Sequence, residues 1–297
     1  MGRDVAQSSE RARTVFNRAN ELLGFDLAGL CFDGPTEKLE QTDIQQPAIF
    51  TASVAIWEAF LEAGGRREWF SWSAGLSLGE YTALYVARAV GFDDALLLVR
   101  RRGRLMQEAA IVRPSGMISL IGAEETTAGA ICDRARGAEV LAPANFNCPG
   151  QIVISGSRGA CDRALALAPE FGCRGVALAV AGAFHSPLME LAARGLWPVL
   201  QETAFKTPDM SVLSNVEAQE HGDPTAIRDS LRRQITQPVL WQRSVERMIR
   251  EGVQVFYEVG PGRVLTGLIR KIDRKIPVVN VSGRDSIAGA LATATTA

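Results

Sequence analysis

The stretch Glu68-Trp69-Phe70-Ser71-Trp72-Ser73-Ala74-Gly75-Leu76-Ser77-Leu78-Gly79-Glu80-Tyr81 decides how the whole chain is read. Residues 68–74 mix aromatic and small side chains and predict a short strand, turning sharply at Gly75. Gly75-Leu76-Ser77-Leu78-Gly79 is a G-x-S-x-G run, and residues 79–90 beyond it predict a helix. A serine between a strand and a helix, flanked by glycines, is the pattern of a nucleophile elbow. So tight a turn forces the serine into a strained conformation, and glycine lets the flanking backbone come close. Ser77 then projects above the sheet at a helix N-terminus, whose free N–H groups favour an anion. The backbone N–H of Leu78 is placed to bind an oxyanion. A chance match in a glycine-rich turn is the plain alternative; the strand–turn–helix context argues against it.

Working outward, residues 9–23 place Val15, Phe16, Ala19, Leu22 and Leu23 on one side of a helix. Pro47 is expected to open a second helix, because its missing N–H costs nothing in a first turn. Ile49, Ile56, Trp57, Phe60 and Leu61 carry that helix to Gly64-Gly65. A further helix is expected over residues 94–109. The pattern then changes to strand 116–121, helix 124–136, strand 139–142, a turn at Pro149-Gly150, strand 151–155, helix 158–171 and strand 174–180. This β-α-β-β-α-β order is a ferredoxin-like unit. Beyond it, helices at 188–204, at 224–235 and from Trp241 alternate with strands at 212–214, 253–259 and 278–281. The expected fold class is therefore α/β: a hydrolase-like large domain with a mostly parallel sheet covered by helices, plus an inserted small ferredoxin-like α+β subdomain. The expected boundaries are 1–111 and 182–297 for the large domain and 112–181 for the small one. The small, Thr-rich end 290–297 reads as a frayed tail.

Composition narrows the function. The chain has 297 residues, of which 47% are hydrophobic, enough to bury a full core. A formal net charge of -1 gives no basic excess with which to bind nucleic acid non-specifically. Apolar runs such as 89–98 are broken by Asp93 and Asp94, so no membrane span is expected. No secretory leader is evident at Met1-Gly2-Arg3-Asp4. The five cysteines are scattered without CxxC spacing and only two histidines exist, which argues against a zinc site or a disulfide framework. A cytoplasmic protein is expected.

A serine hydroxyl needs a base. His221 lies in Glu220-His221-Gly222-Asp223-Pro224, which reads as an exposed polar turn holding a solvated histidine. His185 lies in Gly182-Ala183-Phe184-His185-Ser186-Pro187, after a predicted strand and before a helix, where catalytic residues favour strand-end loops. His185 is the better base.

Gly75-Leu76-Ser77-Leu78-Gly79-Glu80-Tyr81 resembles the GHSLGE(Y) signature of malonyl-CoA:acyl carrier protein transacylases. Other segments are similar to the same family, in family order over nearly the whole chain: Gln45-Gln46-Pro47-Ala48, Arg102-Gly103-Arg104-Leu105-Met106-Gln107, Asn145-Phe146-Asn147-Cys148-Pro149-Gly150-Gln151, Ala183-Phe184-His185-Ser186 and Glu258-Val259-Gly260-Pro261-Gly262. The inserted ferredoxin-like unit matches the family's small subdomain. The resemblance implies that Ser77 is the nucleophile and His185 its general base. It implies that Arg102 holds the free malonyl carboxylate and that Gln234 orients His185 through its main-chain carbonyl. A guanidinium suits that task, being planar, always charged and able to form two parallel bonds. Arg100, Arg101, Arg102 and Arg104 also read as a solvated basic face; the resemblance singles out Arg102 and leaves the others to attract an acidic carrier protein. Phe184 either narrows the pocket against an α-methyl branch or packs in the core.

The resemblance further implies malonyl transfer from malonyl-CoA to holo acyl carrier protein in fatty acid biosynthesis, by a ping-pong mechanism, with no metal or redox cofactor. A monomer is expected. Two departures stand out. The usual histidine before the nucleophile is Leu76 here. The family's opening strand and PGQG loop, whose glutamine lines the oxyanion hole, find no counterpart in this sequence, so weak activity or poor stability is expected. Rival readings are a serine (thio)esterase, a trans-acting polyketide acyltransferase and a degenerate carrier-protein-binding module.

Overall fold

The computed structural model describes residues 1–294. Helix α1 (Arg3–Ser8) is followed by α2 (Glu10–Leu23), which begins where the Ser9 hydroxyl accepts a hydrogen bond from the Ala12 N–H. Gly24, at φ 71°, ends it in the left-handed conformation that glycine adopts without strain. Two short helices, α3 (Leu27–Asp33) and α4 (Thr36–Leu39), lead into α5 (Thr42–Glu62). Pro47 does not open α5 as expected; it lies inside it, in the second turn. The forfeited backbone bond is offset by burial: Phe50, Ile56 and Phe60 of α5 sit in the main core.

Strand β1 (Trp72–Ser73) is shorter than expected, because a 3-10 turn at Arg67–Trp69 occupies the first part of the predicted strand. Helices α6 (Gly79–Val86) and α7 (Phe92–Val112) follow. Gly103 is the reason α5 and α7 pack closely: a Cβ there would lie 2.7 Å from the Thr42 carbonyl oxygen.

Strand β2 (Ser115–Ile121), α8 (Glu125–Arg136), β3 (Leu141–Cys148), β4 (Gln151–Ser157), α9 (Arg158–Leu167) and β5 (Arg174–Ala177) form a four-stranded antiparallel sheet of order β3-β4-β2-β5 with two helices against it. That is the ferredoxin-like order expected from the sequence. Its core is its own, with Ile118, Leu120, Ile131 and Ile154 buried together. Strand β3 runs to Cys148 rather than to residue 142; irregular pairing between Pro143 and Asn145 and between Phe146 and Cys148 obscures its alternation.

The chain continues with α10 (Glu190–Glu202), β6 (Ser211–Val212), α11 (Pro224–Gln234), α12 (Trp241–Arg250), β7 (Phe256–Val259), α13 (Val264–Ile272), β8 (Val278–Val281) and α14 (Arg284–Ala294). Strand β1 pairs parallel with β6, and β7 pairs parallel with β8. The parallel pairing expected of the large sheet is therefore present, in two two-stranded ladders. Residues 290–294, read as a frayed tail, belong to α14, where Ala290 is buried against the core. The rest of that tail, 295–297, lies outside the described residues. Among the described residues no helix is long and apolar enough to cross a membrane, and none of the five cysteines forms a disulfide.

Candidate active site

The turn after β1 has the tightness the sequence demanded. A Cβ at Gly75 would fall 2.0 Å from the carbonyl carbon of Gly79, so only glycine fits. Gly79 is different: a Cβ there would meet no atom within 4 Å, so its conformation does not require glycine. Between them Ser77 sits at φ 51°, a left-handed conformation that costs energy for a residue with a side chain. The strain is held by hydrogen bonds. The Ser77 N–H donates to Asn215 Oδ1 (2.6 Å), and Asn215 Nδ2 donates to the Gly75 carbonyl (2.8 Å). Gln234 Nε2 donates to the Ser77 carbonyl (2.9 Å). Leu78 stands immediately before α6, so its N–H belongs to the unpaired first turn of a helix.

His185 comes to the same point from the loop between β5 and α10, also in the left-handed region at φ 57°. Its Nε2 lies 2.8 Å from Ser77 Oγ, and its Nδ1 lies 2.7 Å from the main-chain oxygen of Gln234. A carbonyl oxygen only accepts, so the Nδ1 carries the proton and the Nε2 is free to accept one from Ser77. Burial, and then the charge of Arg102, push the His185 pKa down to about 4. The ring is therefore neutral near pH 7, as a base must be. Ser186 Oγ donates to the Ala183 carbonyl (2.7 Å), and the Ala183 N–H donates to Ser115 Oγ (3.1 Å), which fixes the loop.

Arg102 reaches the site from the middle of α7 and is 1% exposed. Its guanidinium donates to Gln46 Oε1 (2.6 Å), to Gln234 Oε1 (2.9 Å) and to Ser77 Oγ (3.0 Å), and lies 5.3 Å from the centre of the Tyr81 ring. All three acceptors are neutral, and the Nε has no partner. Burial depresses its pKa, yet a guanidinium remains charged near neutral pH. The Glu80 carboxylate acts on it only at a distance, without a hydrogen bond, so this buried cation beside Ser77 favours an anion that can bond it directly. Two of the neighbouring arginines are engaged elsewhere. Arg100 donates to the Leu23 carbonyl (2.6 Å) at the end of α2, and Arg104 pairs with Glu108 one turn along α7. Phe184 is half-buried and packs against both the main core and Met117, Ala144 and Val153 of the small sheet. Leu76 packs in the third apolar cluster with Trp72 and Ala74, where a histidine would have brought a polar group.

His221 corrects the sequence reading. Its side chain is 1% exposed, and its Nε2 lies 2.7 Å from Oε1 of the fully buried Glu80. The Glu220–Asp223 stretch looked like a solvated turn because its residues are polar. A bridge between Leu213 and Glu220 folds the chain back so that His221 points inward. Glu80, Asn215 and Gln46 were not named as site residues. Glu80 and Gln46 lay inside quoted motifs, whereas Asn215 carries no sequence signal of its own. Among the described residues no cluster of His, Cys, Asp and Glu could hold a metal ion.

Comparison with known proteins shows the family. The acyl transferase domain family matches residues 1–290. The malonyl CoA-acyl carrier protein transacylase of Salmonella typhimurium is 42% identical over 270 residues, covering 91% of this chain and 87% of that protein. That of Bacillus subtilis is 38% identical over 295 residues, covering 99% and 92%. The solved structure of the Coxiella burnetii malonyl CoA-acyl carrier protein transacylase superposes with a TM-score of 0.96 at 35% identity, covering 99% of this chain and 93% of that one. A malonyl-transacylase solved in complex with a holo type II PKS acyl-carrier protein superposes at 0.94 with 38% identity, covering 98% and 94%. With the family matched over almost its entire length and a serine, a histidine and a buried arginine converging at its elbow, the chain belongs to the acyl transferase domain family.

Proposed function

We propose that this enzyme moves a malonyl group from malonyl-CoA to the phosphopantetheine thiol of acyl carrier protein, through an ester on Ser77. The observation that carries the reading is the buried Arg102 guanidinium, 3.0 Å from Ser77 Oγ and without a carboxylate partner among the described residues. It suits a donor that brings its own carboxylate, and an acyl group lacking one leaves that charge unpaired. Relatives whose names specify malonyl CoA and acyl carrier protein support the same donor and acceptor.

In the first half-reaction Ser77 Oγ attacks the thioester carbon while His185 Nε2 takes its proton. The N–H of Leu78 stabilises the oxyanion. The C–S bond then breaks and His185 returns the proton to the sulfur of CoA. In the second half-reaction the carrier thiol gives its proton to His185 and attacks the Ser77 ester. The C–O bond breaks and His185 reprotonates Ser77 Oγ. Gln234 holds His185 through its carbonyl, and Phe184 limits branching of the acyl chain. The units 1–111 with 182–297, and 112–181, serve as the large catalytic and small subdomains. A cytoplasmic monomer is the state this reading implies.

The test is steady-state transfer from malonyl-CoA to holo carrier protein, with malonate release measured beside it. Parallel double-reciprocal lines and transfer faster than release are expected. Release outrunning transfer would make the protein a thioesterase instead.

A further inference from the structure

The base and the nucleophile do not account for a fully buried carboxylate beneath them. Glu80 is fully buried in the first turn of α6, and its carboxylate receives three donors. The Asn215 N–H (3.2 Å) and Gln234 Nε2 (2.6 Å) both donate to Oε2. The third contact, at 2.7 Å, is between His221 Nε2 and Oε1, with the imidazole N–H as the donor that suits a carboxylate acceptor. Two of these donors belong to residues that hold the strained serine. Asn215 grips the elbow on both sides, through the Ser77 N–H and the Gly75 carbonyl. Gln234 binds the Ser77 carbonyl, presents its own carbonyl to His185, and accepts from Arg102.

We propose that His221 and Glu80 are positioning residues: His221 fixes the Glu80 carboxylate, which through Asn215 and Gln234 sets the conformation of Ser77 and the direction of His185. The proposal rests on Ser77 being the nucleophile, the reading given above. Neither residue touches the reacting atoms, and both act from behind the turn. The donor count makes the arrangement specific. Glutamine at position 80 offers one acceptor oxygen where three donors converge, and its amide hydrogens face other hydrogens. Leucine at position 221 leaves Oε1 buried without a partner. Glutamine at 221 places an amide N–H close to where the imidazole Nε2 stood and keeps the bond.

The experiment compares wild-type protein with His221→Leu, His221→Gln and Glu80→Gln. Two rates are measured on each: phosphonylation of Ser77 by a fluorophosphonate, and acylation by malonyl-CoA with its KM. Far-UV circular dichroism and melting temperature report folding. Expected are roughly tenfold or slower labelling in His221→Leu and Glu80→Gln, a malonyl-CoA KM within about twofold of wild type, and recovery of most of the rate in His221→Gln. A purely structural role would lower the melting temperature without that split or that rescue. Folded His221→Leu and Glu80→Gln proteins that label at the wild-type rate would overturn the proposal, as would a His221→Gln protein as slow as His221→Leu. Should His221→Leu not fold, Glu80→Gln against His221→Gln carries the same contrast. The fluorophosphonate needs no malonyl group, so wild-type protein that labels but takes no malonyl would count against the substrate reading alone.

Discussion

Ser77 and His185 share a conformational oddity that the sequence could announce for only one of them. The G-x-S-x-G spacing foretold a strained serine, and Ser77 is left-handed at φ 51°. Nothing in Ala183-Phe184-His185-Ser186 foretold that His185 would be left-handed too. Its position was legible because a serine needs a base and the chain has two histidines. The other histidine was misread because polar neighbours look the same whether the chain folds outward or inward. The buried pocket of His185 has a consequence for pH. Its pKa of about 4 lies below the ordinary 6.5, first through burial and then through Arg102. Between those values the unfolded chain binds more protons than the folded one. Stability from this group therefore rises with pH across that window, is complete above about 6.5, and is lost as pH falls through about 4. With the neutral ring as the proposed base, kcat/KM for malonyl-CoA should climb through an apparent pKa near 4 and stay flat from about pH 5 to 8. A limb near 6.5 in the pH–rate profile would contradict this. A bound carboxylate offsets the Arg102 charge, so the limb in kcat should lie at higher pH than the limb in kcat/KM. Arg102→Gln should lower kcat/KM for malonyl-CoA by about 100-fold, the upper range for a charged hydrogen bond, with a smaller loss for acetyl-CoA in parallel assays.

At the scale of elements, the glycines divide by what surrounds them. Gly75→Ala drives a methyl into the Gly79 backbone and should cost about 3 kcal/mol in denaturant unfolding, with loss of Ser77 labelling. Gly79→Ala enters open space and should change stability by no more than about 0.5 kcal/mol. Equal effects at the two positions would mean that the elbow is not set by this contact. Helix boundaries were legible where capping chemistry is local, as at Ser9 and Asp223, whose side chains accept from the first-turn N–H groups. They were not legible at Pro47, because burial of α5 against the core outweighs the local preference of proline for a first turn. The short strand β1 was overestimated for a similar reason: aromatic residues signal burial as strongly as they signal extension. Trp69 and Phe70 are engaged with Phe60 and Trp57 rather than in a ladder.

Over the whole molecule, the sequence carried the class of fold because two hydrophobic patterns alternate in blocks. The four-stranded antiparallel sheet has a core separate from the one around α2, α5 and α7. The small sheet meets the His185 loop at Phe184, which packs against the main core and against Met117, Ala144 and Val153, and at Ala183, whose N–H donates to Ser115 Oγ of β2. Ile154→Ala, at a fully buried site of the small sheet, should cost about 2–5 kcal/mol of stability in thermal unfolding. Ser77 labelling at low temperature should change little, because distant sites act independently. The sequence could not carry the pairing partners of the short parallel strands, since two-residue and four-residue ladders leave almost no periodicity to read. The same holds for the network under the elbow, whose members Glu80, Asn215, His221 and Gln234 meet only in three dimensions. The elbow, the His185 loop and the middle of α7 converge on Ser77 Oγ, the atom proposed to carry the malonyl group. The most direct test is the intact mass of the protein after brief exposure to malonyl-CoA, beside Ser77→Ala. A single malonyl addition on the wild-type chain that is absent from Ser77→Ala is the expected result; an addition that persists in Ser77→Ala, or a wild-type chain that takes none, would contradict the account.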